Sequence, residues 1–62
     1  MSTLPRHRIL LVDDHPMMRR GMRQILELED DLQVVGEAGN GQEALDQIES
    51  LQPDLVLLDN NM

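Results

Sequence analysis

Residues 8–14, RILLVDD, decide how the rest of the chain is read. Ile9 to Val12 form a short, unbroken apolar run, and two acids, Asp13 and Asp14, close it. A run of that length without polar alternation suits a strand buried on both faces, the kind found in parallel sheets.

The sequence downstream continues the pattern. HPMMRRGMRQILELEDD reads as a helix, with Pro16 in the first turn, where its missing N–H costs nothing. Met18, Met22, Ile25 and Leu26 recur at helical spacing and should face the sheet, with Arg19, Arg20 and Arg23 mostly on the solvated side. Gly21 weakens that helix by about 1 kcal/mol relative to alanine. A second strand is expected over Gln33 to Ala38. A second helix comes next in NGQEALDQIESLQP, with Asn40 as N-cap, Glu43 completing a capping box, and Pro53 marking the end. Its apolar stripe is Ala44, Leu45, Ile48 and Leu51. DLVLLD supplies a third strand, Leu55 to Leu58. The order is βαβαβ, which implies parallel strands, right-handed crossovers, and helices able to lie on opposite faces of the sheet.

Composition narrows the function. The chain has 62 residues, enough for one small domain at most, and contains no cysteine, so no disulfide or thiolate site is available. It has no Phe, Tyr or Trp to stack on bases, and its net charge is -7. Both features argue against nucleic-acid binding by this segment. All five basic residues are arginines lying between Arg6 and Arg23. No stretch approaches the roughly 18 apolar residues of a membrane span. MSTLPRHR lacks the apolar centre of a signal peptide, and a cytoplasmic location is the expectation.

Ligands of open α/β sheets bind beyond the carboxyl ends of the strands, where strand order reverses. With strand 1 in the middle, Asp13 and Asp14 leave its carboxyl end and Asp59 leaves that of its neighbour, strand 3. Each feature alone also fits an ordinary loop acid. Together they suggest clustered carboxylates, whose repulsion a shared hard cation relieves. Mg²⁺ accepts such oxygen ligands and leaves one carboxylate able to act as a nucleophile toward a phosphoryl group. His15 could be a base or a ligand, or simply a solvated residue at the helix start. GNG at 39–41 has neither the glycine spacing nor the lysine of a phosphate-binding loop.

ILLVDDHPMMRRGMRQIL, VVGEAGNGQEAL and PDLVLLDNNM, in this order and at these intervals, resemble the first half of a bacterial two-component response-regulator receiver domain, of the nitrate-regulator (NarL/FixJ) type. The resemblance runs from about Arg8 to Met62. It implies a partial flavodoxin-like (CheY-like) doubly wound fold with strand order 2-1-3. It implies Asp59 as the phosphoacceptor, a sensor histidine kinase as phosphodonor, and Mg²⁺ held by Asp14, Asp59 and the backbone carbonyl of Asn61, with Asp13 contributing directly or through water. DNA is reached only through an output domain absent from these residues, and the module itself is not an enzyme.

The sequence departs from the family pattern in three ways. Asn60 stands where family members often carry an apolar residue. Neither Ser50 nor Thr3 matches the hydroxyl residue that comes after the family's fourth strand, and the chain contains no lysine. Residues 1–62 are therefore expected to be a truncated receiver domain. Mg²⁺ binding should be weakened but possible, phosphorylation of Asp59 poor or absent, and the switch lost. An apolar third strand at the sheet edge predicts a homo-oligomer formed through that edge or through the exposed sheet face. The alternatives are a structural oligomer without ligand and a Mg²⁺-dependent phosphohydrolase with an aspartyl nucleophile. The adjacent acids disfavour the phosphohydrolase, since such enzymes usually carry D-x-D after strand 1.

Overall fold

A computed structural model describes residues 6–58 of the chain. The elements run β1 (His7–Val12), α1 (Pro16–Leu26), β2 (Leu32–Ala38), α2 (Gly41–Leu51) and β3 (Leu55–Leu58). All three strands are parallel, in the order β2-β1-β3. This is the expected βαβαβ half of a flavodoxin-like, doubly wound sheet. The first two strands begin slightly earlier than the apolar runs alone suggest, because His7 N–H donates to the Asp31 carbonyl at 2.7 Å and extends the ladder.

The central strand explains its own composition. Ile9, Leu10 and Leu11 are all but inaccessible, as a strand covered on both faces requires. Alternate residues feed two cores. Leu10 and Val12 join Ala38 and Ala44 in one cluster, which places α2 on that face. Leu11 pairs in register with Glu37, and Glu37 reaches Arg19 and Arg23 of α1, which places α1 on the other. The register slips between Ile9 and Leu10, so that Val35 is an extra residue on β2. Gly36 comes directly after the bulge, beneath α2. A Cβ there would lie 2.7 Å from Leu51 Cδ1, so only glycine lets the helix approach so closely.

Helix α2 begins at the predicted N-cap, though Glu43 reaches the N–H one residue before it rather than that of Asn40 itself. Asn40 Oδ1 accepts from Glu43 N–H at 2.9 Å, and the Glu43 carboxylate accepts from Gly39 N–H at 2.7 Å. It ends at Gln52, whose φ of 48° lies in the left-handed region, ahead of Pro53. Arg8 then fastens β3 to β1. Its N–H donates to Asp54 Oδ2 and its carbonyl accepts from Asp54 N–H, both at 2.8 Å, while its Nη1 donates to the Gln52 carbonyl at 3.0 Å.

The helix stripes are less covered than their spacing predicts. Met22 and Leu26 are partly buried, but Met18 is 46% exposed and Ile25 66%. On α2, Ala44 is buried and Leu51 partly so, whereas Leu45 is 63% exposed. The cause is geometric: both helices rest on β1 and β2, and neither touches β3 among the described residues. Leu55, Val56 and Leu58 are accordingly exposed along the β3 edge.

Candidate functional site

The carboxyl end of β1 carries the acids. Asp13 N–H donates to the Ala38 carbonyl at 3.0 Å, which ties the first residue past the strand to β2. Its side chain is buried, with Oδ1 accepting from His15 N–H at 2.9 Å in a tight aspartate turn. The other oxygen, Oδ2, is buried and has no hydrogen-bond partner among the described residues. An unpartnered buried carboxylate oxygen is costly, and it marks a position where a donor or cation would be stabilising.

Asp14 is more exposed, and its Oδ1 lies 2.8 Å from His15 Nδ1. His15 Nδ1 is also 3.5 Å from Asp13 Oδ1. His15 holds the N-cap position of α1 but makes no side-chain cap hydrogen bond, so its imidazole is directed to the acids rather than to the helix. Both readings of His15 hold in part: it is a half-exposed residue at the helix start, and its Nδ1 lies beside the acid pair. Donor atoms of Asp13, Asp14 and His15 all lie within 4.8 Å of one another. Two carboxylates, one with a buried oxygen unpartnered among the described residues, form an oxygen-rich donor set of the kind Mg²⁺ accepts.

Asp59 and Asn61 lie outside the described residues. The described part of β3 ends at Leu58, whose register partner on β1 is Val12. The residues that immediately precede Asp59 and Asp13 in the sequence are therefore neighbours.

Behind the acids lies an ionic cluster that periodicity alone misses. Arg19 donates from Nε to Glu37 Oε1 at 3.0 Å and from Nη1 to the Asp13 carbonyl at 2.7 Å. Arg23 donates from Nη1 to Glu37 Oε2 at 2.6 Å and also approaches Glu27. The hydrogen bond from Arg23 is the main influence holding the Glu37 carboxyl below its ordinary pKa; the Arg19 bond adds to it, and partial burial opposes both. The same bond to Glu37 raises the Arg23 guanidinium above its already high value. Arg19 thus reaches back over the sheet and is only partly exposed, whereas Arg23 pairs with Glu37 while remaining on the exposed face with Arg20. The available signal was Glu37 itself, a charge within the otherwise apolar VVGEA, opposite two arginines spaced i, i+4.

Comparisons with known proteins agree with this architecture. Residues 9–62 match the family described as the response regulator receiver domain. The nitrate/nitrite response regulator protein NarL of Escherichia coli K12 is 56% identical over 54 residues, which is 87% of this chain and 25% of the relative. A protein-glutamate methylesterase/protein-glutamine glutaminase of Syntrophomonas wolfei is 48% identical over 59 residues, 95% of this chain and 17% of that protein. The solved signal receiver domain of a response regulator, NarL from Mycobacterium tuberculosis, superposes with a TM-score of 0.87 at 41% identity, covering 95% of this chain and 48% of that one. The chain therefore spans about a quarter of the curated nitrate/nitrite regulator and about half of the solved receiver domain. With a match over residues 9–62, nearly its whole length, the chain belongs to the response regulator receiver domain family.

Proposed function

We propose that these residues act as the phosphoacceptor part of a two-component transcriptional regulator, with Asp59 receiving a phosphoryl group from a phosphohistidine of a sensor kinase. The observation that carries the reading is the pairing of Val12 with Leu58, together with the buried, unpartnered Oδ2 of Asp13. Asp14 and Asp59 would supply side-chain oxygens to a divalent cation, Asn61 its backbone carbonyl, and Asp13 a contact direct or through water. Bound Mg²⁺ would offset negative charge on the transferred group and on the carboxylates around it.

The Asp59 carboxylate attacks phosphorus, an acyl-phosphate O–P bond forms, the P–N bond breaks, and its electron pair leaves with the imidazole of the kinase. Asp13 contributes by keeping a carboxylate fixed and largely desolvated beside the acceptor. Transfer in these 62 residues is slow, because the sequence contains no lysine to place a second positive charge at the phosphoryl oxygens. The module is an acceptor rather than an enzyme; the matched methylesterase shares only 17% of its length with this chain. The parent protein would work in the cytoplasm and meet DNA through an output domain. Among the described residues no helix is long and apolar enough to cross a membrane.

Incubation with Mg²⁺ and acetyl phosphate tests the reading by intact mass. Wild type should slowly gain one phosphoryl group, and Asp59→Ala none. A gain that survives in Asp59→Ala would refute the acceptor role, and no gain at saturating donor would show that these 62 residues alone do not carry it out.

The exposed apolar edge at Leu55, Val56 and Leu58 supports a second element of the proposal, self-association through β3 or the open sheet face.

A further inference from the structure

Arg19 is the side chain that joins the acid-bearing loop to both elements packed beside it. It belongs to α1, its Nε donates to Glu37 on β2, and its Nη1 donates to the carbonyl of Asp13. It is only partly exposed, and Gly39 lies beside its Nη1, where an added Cβ would come to 3.3 Å.

The Asp13 carbonyl and the Asp14 N–H share one planar peptide unit. A hydrogen bond that fixes that carbonyl also fixes the plane from which Asp14 departs. The guanidinium is a rigid fork, so anchoring one arm on Glu37 sets where the other arm can hold the loop. We propose that Arg19 is a positioning residue for the acid pair, setting the direction in which the Asp13 and Asp14 carboxylates are presented to a divalent cation. The proposal rests on the reading of these two acids as cation ligands.

Charge and geometry predict opposite signs, which makes the idea testable. Arg19 is a cation beside a cation site. If charge alone mattered, removing it would tighten Mg²⁺ binding. If it positions the loop, removing it weakens binding, as loss of supporting contacts behind metal ligands generally does by about 10–100-fold.

The experiment records backbone amide NMR of the full chain during Mg²⁺ titration, for wild type, Arg19→Ala and Arg19→Lys. Both variants should weaken Mg²⁺ binding about tenfold. Lysine keeps the charge but not the two-armed contact, so its failure to rescue assigns the effect to the fork. In Mg²⁺-free buffer the His15 amide, which donates to Asp13 Oδ1, should shift in both variants. Binding in either variant as tight as wild type, or tighter, would overturn the proposal. If Arg19→Ala does not fold, Arg19→Lys decides alone. If wild type itself fails to bind Mg²⁺, the cation reading falls, and the Mg²⁺-free His15 resonance still judges Arg19: an unchanged resonance removes its positioning role as well.

Discussion

Val12 and Leu58 are register partners on adjacent parallel strands, the last described pair before Asp13 on one strand and Asp59 on the other. This pairing sets side by side the residues that precede two acids 46 positions apart in sequence (59 − 13). The burial of Asp13, with an Oδ2 that has no partner among the described residues, makes the carboxyl end of β1 electrostatically costly without a counter-ion.

That cost predicts how stability responds to Asp13→Asn. Removing a buried charge with an unsatisfied oxygen should raise the unfolding free energy by about 1–2 kcal/mol in Mg²⁺-free buffer. Mg²⁺ should then stabilise wild type through binding linkage and stabilise the variant less. Urea unfolding with and without Mg²⁺ measures both effects, and equal Mg²⁺ stabilisation in the two proteins would argue against a cation at Asp13.

The Glu37 cluster predicts part of the acid response. Its carboxyl titrates below the ordinary value of 4.5, held there chiefly by the Arg23 hydrogen bond. A depressed folded-state value means that the stabilisation is complete above the unfolded value and is lost as pH falls through the lower folded one. Urea midpoints should decline as pH falls from the ordinary carboxylate value through the lower folded one, and Glu37→Gln should flatten that part of the curve. An unchanged curve would show that the Arg23 pair contributes nothing measurable in solution.

Gln52 holds a left-handed conformation at the end of α2, with its carbonyl bound by Arg8. Glycine adopts that conformation without a Cβ clash, and the Arg8 contact uses only the backbone oxygen. Gln52→Gly should therefore stabilise the chain by about 0.5–1 kcal/mol, partly offset by the greater entropy of unfolded glycine. Gly36→Ala should do the reverse. Its Cβ would press on Gln47, Leu51 and Leu10 and cost about 1–3 kcal/mol as α2 is displaced. Thermal melts of the two variants should move in opposite directions.

The exposed β3 edge predicts association that depends on concentration. Sedimentation should show a shift toward larger species as concentration rises, and Leu55→Lys, at a side chain already 51% exposed, should reduce it at little cost to folding. A monomer at all concentrations would count against the edge as a contact.

The legibility of this chain varied with the kind of interaction. Ile9 to Val12 announced a doubly covered strand because burial on both faces leaves no polar alternation, and Asn40 with Glu43 announced a helix start because capping is local chemistry. Asp13 and Asp14 were visible as acids closing that strand. The roles of Arg19 and Glu37 were not, because they depend on α1 crossing directly above β2, a relation that neither segment encodes alone. The exposure of Met18, Ile25 and Leu45 was hidden for a similar reason. Spacing defines a stripe, but how much of it is covered depends on which strands lie beneath, and β3 lies beneath neither helix. Within α1, the arginine periodicity indicated solvent, whereas long side chains fold back to an acid such as Glu37 when the geometry permits.

The most direct test of a shared site at the ends of β1 and β3 is a Mg²⁺ titration that monitors the amides of Asp14 and Asn61 together, in wild type and in Asp59→Ala. Both amides should titrate with one common dissociation constant, and both responses should be strongly reduced by the substitution. A response confined to residues 13–15, unchanged in Asp59→Ala, would show that the acid pair binds alone and that the two strands do not form one site.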